Sequence, residues 1–312
     1  MEDIHLSGVP GRRAFLLGMA GLASVALSGC TVTPDAAQEE APATPEALTL
    51  ADPAAAAPSR TAPAETPTDE PYRPAPPTKQ QIIAEFEARK PREWGLQVTG
   101  TVSKSPARDI ALTLDACGGQ GGTAVDQQLL TTLRKLNVPA TLFLNERWVR
   151  ANPALTAELA RDPLFEIANH GFLHRPLSVN GKSAYGIPGT ADIGQVYDEV
   201  VGNQAVLQDV IGHVPAFFRP GTAYYDDVAA AITRRLGVVP VNFSINGDGG
   251  ATFPPSTVAA EVGKARSGDI VIAHFNKPGS GTAAGLAQAL PRLLGQGATF
   301  AKLGAALHYD LP

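Results

Sequence analysis

Five polar side chains follow apolar stretches of this sequence, and their types are those that carry acid–base and metal chemistry. In chain order they are Asp115, His170, Arg219, Asp248 and His274. Carboxylates and imidazoles transfer protons, an arginine can hold a carboxylate ionised, and neutral imidazoles bind divalent metals. His274 is the most informative, because an imidazole that ends an apolar strand needs a hydrogen-bonding reason to be there. Their recurrence at successive segment ends predicts one shared catalytic site.

A second histidine, His174, follows His170 by four residues. This spacing puts two imidazoles on one face of a helix, as in a metal-binding pair. Taken alone, such a pair is more often loop polarity or core histidine, and Asp115 alone could simply cap a turn. The metal interpretation therefore depends on the whole set of residues.

The segments that must position these residues alternate between strands and helices. The predicted strands cover 109–115, 138–144, 165–168, 216–218, 238–243 and 269–274, with 298–303 as a last strand. The predicted helices cover 125–136, 154–160, 195–211, 226–236, 255–265 and 281–295. Short buried strands separated by helices indicate an α/β fold with a parallel sheet, and this number of repeats predicts a (β/α) barrel. The carboxyl ends of the strands of such a barrel carry the chemistry.

Composition excludes two classes of protein. The chain has 312 residues and a formal net charge of −5, and nucleic-acid binding calls for a basic face. It has two cysteines, Cys30 and Cys117, which is too few for a disulfide-stapled scaffold.

The N-terminus has the pattern of an export signal. Arg12-Arg13 precede the uncharged run 14–27, which is shorter than the roughly 20 residues of a spanning helix. The first part resembles a twin-arginine signal, and Leu27-Ser28-Gly29-Cys30 resembles a lipoprotein cleavage box. We therefore predict an export signal over 1–29 and a lipid on the Cys30 thiol. The protein is then exported and anchored to the outer face of the bacterial cytoplasmic membrane.

A linker follows the signal. Between residues 31 and 80 the chain holds 11 of its 27 prolines and a single aromatic residue. Such sequence cannot bury enough apolar area to offset the entropy of ordering it, so 30–80 is predicted to be a disordered tether. Residues 81–312 remain for a single barrel domain.

The order of the polar residues resembles the polysaccharide deacetylases of carbohydrate esterase family 4. The resemblance covers about Ala111 to Leu303, and its five motifs are Leu112-Thr-Leu-Asp-Ala116, Asn169-His-Gly-Phe-Leu-His174, Phe218-Arg-Pro220, Asn246-Gly-Asp248 and Ile270-Val-Ile-Ala-His274. It implies a distorted (β/α) barrel with parallel strands. The implied activity is metal-dependent removal of N- or O-linked acetyl groups from a polysaccharide of the peptidoglycan or chitin type.

The resemblance also implies roles for individual residues. His170 and His174 would bind a divalent metal, with zinc the first choice, and Asp115 would be the general base, aimed by Arg219. His274, tuned by Asp248, would be the general acid. A backbone N–H near Thr222 would bind the oxyanion, and Tyr224 is a candidate for stacking on sugar.

The sequence departs from the family pattern at three places. The second aspartate of the first motif, a metal ligand in the family, is Ala116 here, so the third ligand is open among Asp115, Asn169 and water. Gly221-Thr222 stand where the family usually has Pro-Tyr, and Gly249 replaces an aromatic residue.

Two further segments could contribute to the site. Cys117 lies beside Asp115 and could be a nucleophile, but since no histidine is near it in sequence a structural role is favoured. The stretch 177–194 is long enough to be a substrate-binding loop over the site.

Ala116 keeps two alternative functions open. One is a non-catalytic sugar-binding lipoprotein on a degenerate deacetylase barrel. The other is a metal-independent hydrolase of a non-sugar amide.

Overall fold

A computed structural model describes residues 76–309, in which short strands alternate with helices. The strands are β1 Trp94–Gly95, β2 Ala111–Ala116, β3 Ala140–Leu144, β4 Phe165–Asn169, β5 Phe217–Phe218, β6 Tyr225–Asp226, β7 Val239–Pro240, β8 Ile245–Asn246 and β9 Ile270–His274. The helices are α1 Lys79–Phe86, α2 Gln127–Leu136, α3 Glu146–Ala151, α4 Pro153–Arg161, α5 Ile193–Ile211, α6 Asp227–Arg235, α7 Pro255–Val262, α8 Gly281–Gly295 and α9 Leu303–Ala306.

Seven of the strands form one parallel sheet in the order β7-β5-β4-β3-β2-β9-β8. The sheet curls strongly, because Arg219, next after β5, reaches Asp115 on β2 although β4 and β3 lie between them. β1 and β6 pair separately as a small antiparallel sheet. The predicted distorted (β/α) barrel with parallel strands is confirmed.

The central strands are buried on both faces, as their apolar sequences require. Every residue of β2, β3 and β4 is buried, which is the normal state of a parallel sheet covered by helices. The register sets Asp115 beside His274 and Asn169 beside Phe218. The carboxyl ends of β2, β9, β4 and β5 therefore meet at one edge.

Alternation along β2 separates the two faces of the sheet. Leu112, Leu114 and Ala116 point into the main apolar core between sheet and helices. Ala111, on the opposite face, belongs to a smaller cluster inside the curl together with Phe143. Thr113 and Asp115 share that inner face with Ala111.

The helices begin and end where sequence signals place them. The Asp126 side chain caps α2 by accepting a hydrogen bond from the Leu129 N–H, and the helix ends at Asn137 in the left-handed conformation. Asp192 caps α5 in the same way, and Gly212 ends it in the left-handed conformation.

Three predicted elements differ in the structure. The last strand expected over 298–303 is a single bridge between Phe300 and Ile110, followed by α9. The strand predicted over 238–243 is reduced to β7, Val239–Pro240. The strand β8 was not predicted. Residues 170–174 form a loop rather than a helix.

No helix within residues 76–309 combines the length and apolar character needed to cross a membrane. The predicted export signal 1–29 and the predicted lipidation of Cys30 lie outside the described residues. Most of the predicted linker 30–80 also lies outside them.

Candidate active site

A cavity of about 590 Å³ opens at the carboxyl ends of the central strands. Asp115, Cys117, His174, Thr222 and His274 all line it. Of the residues predicted for the site, His170, Arg219 and Asp248 are buried immediately behind this lining. The fold therefore brings together the predicted acid, base and metal-binding side chains.

Asp115 is positioned by a buried arginine. The Arg219 guanidinium donates one hydrogen bond of 2.7 Å to Asp115 Oδ1 and another of 3.0 Å to Thr113 Oγ1. It also donates to the Asn242 carbonyl at 3.0 Å and stacks on the Phe143 ring at 4.2 Å. Because Arg219 is fully buried, its charge needs this carboxylate, and the pair fixes the direction of Asp115.

Asp248 and His274 form a second pair. Asp248 Oδ1 lies 3.0 Å from His274 Nδ1, and Oδ2 accepts from the His274 backbone N–H at 2.7 Å. The Thr282 hydroxyl donates to the same Oδ2 at 2.9 Å. Asp248 is fully buried, and these donors occupy both of its carboxylate oxygens. The His274 ring is thereby held in one orientation.

The electrostatics of this pair favour the charged form of both partners. Burial alone would lower the pKa of His274, but the Asp248 carboxylate raises it well above the usual value. Burial likewise opposes ionisation of Asp248, and the charge and hydrogen bond of His274 lower its pKa below the usual value. The raised pKa of His274 favours its protonated form, which can donate a proton.

The two histidines of the loop meet although the loop is not helical. The ring centroids of His170 and His174 are 4.9 Å apart and nearly perpendicular. The turn that brings them together uses left-handed backbone at Gly171 (φ 79°) and at His174 itself (φ 61°). A left-handed histidine is uncommon and persists only where its surroundings hold it.

A buried glutamate holds this turn. Glu199, on α5, accepts hydrogen bonds from the backbone N–H groups of Leu173 at 2.9 Å and Arg175 at 3.1 Å. A side chain at Gly171 would collide with the same carboxylate, with a Cβ 2.5 Å from Oε1. Burial raises the pKa of Glu199, and the backbone hydrogen bonds only partly offset it.

Two asparagines hold the start of the loop: Asn145, which caps α3, and Asn203, on α5. Asn145 Nδ2 donates to the Gly171 carbonyl at 2.6 Å and to the His170 carbonyl at 3.1 Å. Asn203 Nδ2 donates to Asn169 Oδ1 at 2.8 Å. Asn169 also donates to the Val200 carbonyl, so its side chain faces α5 and not the cavity.

Cys117 joins the histidine pair. One donor atom each from Cys117, His170 and His174 lie within 4.8 Å of one another, and Cys117 Sγ is 3.7 Å from His170 Nε2. Burial would raise the pKa of the Cys117 thiol, but the charge of His174 and the hydrogen bond to His170, with further contributions from the His174 and His274 rings, lower it well below the usual value. Burial would lower the pKa of His170, but the charge of Asp115 and the hydrogen bond to Cys117 raise it.

The donor set fits a divalent metal. His170 Nδ1 lies 2.9 Å from the Arg219 carbonyl, an acceptor, so Nδ1 carries the ring hydrogen and Nε2 is left for a ligand. His174 Nε2 is buried and has no hydrogen-bond partner among the described residues. A thiol and two imidazoles with free Nε2 atoms are the ligands that zinc takes in proteins.

The departure at Gly221 has a steric reason. A Cβ at Gly221 would lie 2.3 Å from the His174 ring and 2.4 Å from its carbonyl oxygen. His174 therefore occupies the space that a side chain at 221 would need. Thr222, next along the chain, lines the cavity.

The rim of the cavity is aromatic. Tyr185 lines it and is 73% exposed, and Ile187 beside it is 37% exposed. Tyr224 does not line the cavity. It packs against Tyr185 at 5.4 Å and against Trp94 at 5.6 Å, and so supports the exposed ring.

Sequence reasoning did not identify Cys117 as a possible metal ligand, and it missed Glu199, Asn145 and Asn203. Side chains two residues apart on a strand point to the same face, so Cys117, just after β2, points to the same face as Thr113 and Asp115. This direction could have been predicted from the strand. Glu199 lies between Val196 and Val200 on the buried face of α5, where a charged residue is unusual. Asn145 and Asn203 carry no such signal in the sequence.

Comparison with known proteins finds similarity to one family. The family model described as polysaccharide deacetylase matches residues 103–241. A bifunctional xylanase/deacetylase from Pseudobutyrivibrio xylanivorans is 26% identical over 192 residues, which cover 61% of this chain and 29% of that protein. The chain thus spans less than a third of the length of that curated relative.

Two solved structures share the fold. The Bc1960 peptidoglycan N-acetylglucosamine deacetylase superposes with a TM-score of 0.57 at 20% identity, over 68% of this chain and 94% of that one. BA3943 from Bacillus anthracis, a pseudoenzyme of carbohydrate esterase family 4, has a TM-score of 0.57 at 18% identity, over 68% and 70% of the two chains. Residues 103–241 of this chain thus resemble the polysaccharide deacetylase family.

Proposed function

We propose that this protein is a metal-dependent hydrolase that removes N- or O-linked acetyl groups from a cell-wall or extracellular polysaccharide. One observation carries the proposal. Asp115, held by Arg219, and His274, held by Asp248, line the same cavity as the Cys117–His170–His174 cluster. A base, an acid and a set of metal-binding atoms are what hydrolysis of an acetyl amide or ester requires.

The metal would be held by His170 and His174 together with a third ligand. A divalent ion bound there would polarise the acetyl carbonyl and acidify water. Zinc is the ion that we propose, because imidazole ligands suit it and it remains divalent throughout hydrolysis.

Asp115 and His274 divide the proton transfers between them. Asp115 accepts a proton from the attacking water while the water oxygen forms a bond to the acetyl carbon. His274 then donates its proton to the sugar nitrogen or oxygen as that bond breaks. The products are acetate and a free amine or hydroxyl, and the backbone N–H of Thr222, a residue that lines the cavity, would bind the oxyanion.

The rim supports a sugar substrate. An exposed tyrosine ring presents an apolar face and a polar edge, the combination that suits a carbohydrate. Tyr185 has this form, and Tyr224 packs against it from the side. The names of the similar proteins, a peptidoglycan N-acetylglucosamine deacetylase and a xylanase/deacetylase, support an acetylated polysaccharide of the peptidoglycan or chitin type.

Acetate release tests the proposal. The purified full chain should release acetate from N-acetylated glucosamine oligomers, peptidoglycan or acetylxylan, and chelation should abolish the release. His274→Ala should lower the rate by roughly 10²–10⁴-fold. His213→Ala, at an exposed histidine, is the matched control and should leave the rate unchanged. No acetate release from any of the three substrates by the metal-loaded protein would refute the proposal.

Ala116 favours a second candidate, a sugar-binding protein without activity. It stands at a position where the family has an acid, and the fold also occurs in a pseudoenzyme. This candidate predicts that glycan binds tightly while Asp115→Asn changes neither binding nor any turnover. A metal-independent amide hydrolase predicts instead that activity survives chelation and dialysis.

We also propose that the protein is exported and held at the outer face of the cytoplasmic membrane by a lipid on Cys30. Support comes from Arg12-Arg13 and from the order Leu27-Ser28-Gly29-Cys30. Cys30→Ser should release the protein from the membrane fraction, and Arg12→Lys with Arg13→Lys should block export. Unchanged fractionation of both variants would refute this proposal.

A further inference from the structure

We infer that Cys117 is the third metal ligand and binds the ion as a thiolate, in place of the carboxylate that position 116 lacks. This inference deepens the proposed function and rests on it. It assigns the Cys117 Sγ, His170 Nε2 and His174 Nε2 atoms as one ligand set and leaves Asp115 as the base alone.

The geometry of β2 explains why the ligand moved by one residue. Side chains alternate along a strand, and Ala116 points into the apolar core among Leu114 and Trp148. A carboxylate at 116 would enter that core. Cys117 lies one step further and lines the cavity, on the same side as Asp115.

The distances match metal ligands. Tetrahedral zinc with Zn–S near 2.3 Å and Zn–N near 2.1 Å holds a sulfur and a nitrogen ligand about 3.6 Å apart. Cys117 Sγ and His170 Nε2 are 3.7 Å apart, and the three donor atoms all lie within 4.8 Å of one another. The Cys117–His170 pair already has the separation that one zinc ion requires.

The hydrogen-bond pattern points to a cation at the centre. The Arg219 carbonyl takes the Nδ1 hydrogen of His170, so the Nε2 lone pair faces the Cys117 sulfur. His174 Nε2 is buried and has no partner in the described part of the chain. A shared positive ion would stabilise the facing His170 nitrogen and Cys117 sulfur together with the unpartnered Nε2 of His174.

A nucleophilic cysteine would use a different arrangement. His274, oriented by Asp248, also contacts Cys117, and a thiol with one such base resembles a cysteine hydrolase. One imidazole suffices for that chemistry. The two further histidines, His170 and His174, have no role in cysteine hydrolase chemistry. The left-handed backbone of His174 and the hydrogen bonds from the loop to Glu199 nevertheless hold them near the sulfur.

A thiolate ligand also narrows the choice of metal. Soft thiolate selects zinc over magnesium, calcium or manganese, whereas a carboxylate would accept the harder ions. The inference therefore predicts a zinc-selective site in this chain.

Cobalt(II) substitution tests the assignment by spectroscopy. Thiolate-bound cobalt absorbs in the near ultraviolet through sulfur-to-metal charge transfer, and the full chain loaded with cobalt should show this band. Cys117→Ser and Cys117→Asp should lose the band. Cys30→Ser is the matched control, because Cys30 is the only other cysteine, and it should keep the band.

Metal affinity and ligand identity give two more measurements. Cys117→Ala should weaken zinc binding by more than the roughly 10–100-fold that loss of an outer-shell partner costs, and Cys117→Asp should recover part of it. X-ray absorption at the zinc edge of the unmodified protein needs no variant. It should show one sulfur neighbour at about 2.3 Å.

The outcomes separate this inference from the proposed function. Zinc without a sulfur neighbour, or a charge-transfer band that survives Cys117→Ser, overturns the inference while metal-dependent acetate release can still stand. An acetyl group trapped on Cys117 during turnover also overturns it, in favour of a nucleophile. Wild-type protein that binds no zinc overturns both.

Discussion

The two halves of the site are built in different ways. In the strand-borne half, Asp115 and His274 are neighbours in the β2–β9 register, and each has a buried partner of opposite charge. In the loop-borne half, His170 and His174 lie on an irregular turn. That turn is held by hydrogen bonds from its backbone to Glu199 on α5 and from the Asn145 side chain.

The difference separates two tasks. The strand ladder fixes the proton-transfer groups Asp115 and His274, and the Asp248 carboxylate raises the pKa of His274. The loop fixes metal-binding donor atoms, and its precision comes from Glu199 and Asn145, which do not line the cavity. Changes in one half should therefore alter proton transfer, and changes in the other should alter metal binding.

The largest effect is expected from Asp115→Asn in the strand-borne half. The change removes the base and leaves the Arg219 charge without a counterion, so kcat should fall by roughly 10²–10⁴-fold. The free energy of unfolding should also fall, by about 3 kcal/mol. Steady-state acetate release and thermal unfolding measure the two effects. Asp209→Asn, at an exposed position, should change neither, and a fully active Asp115→Asn would remove this residue from the mechanism.

Asp248→Asn should move the pH profile. Because the Asp248 charge raises the pKa of His274, its removal lowers that pKa, and the alkaline limb of kcat should shift to lower pH. The rate above neutral pH should fall by roughly tenfold or more, while zinc affinity changes little. Thr282→Val removes one hydrogen bond to the same carboxylate and should give a smaller shift. An unmoved alkaline limb would mean that His274 is not the acid.

The same pair should affect stability over a defined pH window. The raised pKa of His274 contributes stability that is present below its unfolded value of about 6.5 and is lost as pH rises through its folded value. The lowered pKa of Asp248 contributes stability present above about 3.9 and lost as pH falls through its folded value. The free energies of unfolding of wild type and Asp248→Asn, measured by denaturation across pH 3 to 10, should converge at both extremes.

Glu199→Gln should break the loop-borne half alone. The amide keeps one acceptor oxygen but puts a donor group next to the backbone N–H groups of Leu173 and Arg175, so the turn loosens. Zinc affinity should fall by roughly 10–100-fold without movement of the alkaline limb. Asp198→Asn, at the exposed neighbour on α5, is the control. A shift of the pH profile in Glu199→Gln would contradict the separation of the two halves.

The smallest effect is expected at the rim. Tyr185→Ala removes an exposed ring, so KM for an oligosaccharide should rise roughly 2- to 10-fold, as the loss of about 0.5–1.5 kcal/mol implies. The value of kcat and the melting temperature should stay unchanged, because nothing in the core depends on this side chain. Tyr185→Phe keeps the ring and should keep KM. Equal KM values in all three proteins would place the sugar elsewhere.

The sequence predicted the strand-borne half better than the loop-borne half, for a physical reason. Buried parallel strands read as apolar runs, so the positions of Asp115 and His274 at strand ends followed directly. The spacing of His170 and His174 suggested a helix, but their approach depends on left-handed backbone and on side chains distant in the sequence. Local patterns do not contain such long-range contacts.

Cys117 shows how a local pattern can still be misjudged. Its distance in sequence from every histidine favoured a structural role, yet the fold places three imidazoles against it. Strand alternation alone would have set it beside Asp115. In contrast, the missed α3 and the incorrect last strand over 298–303 reflect short segments in which tertiary packing decides the local structure.

The burial of Arg219 also bears on how the molecule unfolds. Its guanidinium joins the end of β5 to Thr113 and Asp115 on β2 and to the carbonyl of Asn242 beyond β7, spanning the interior of the curled sheet. Strands that are not neighbours in the sheet thus share one buried ion pair. We expect their amide protons to exchange with solvent in a single cooperative opening, so that loss of the catalytic geometry and global unfolding are the same event.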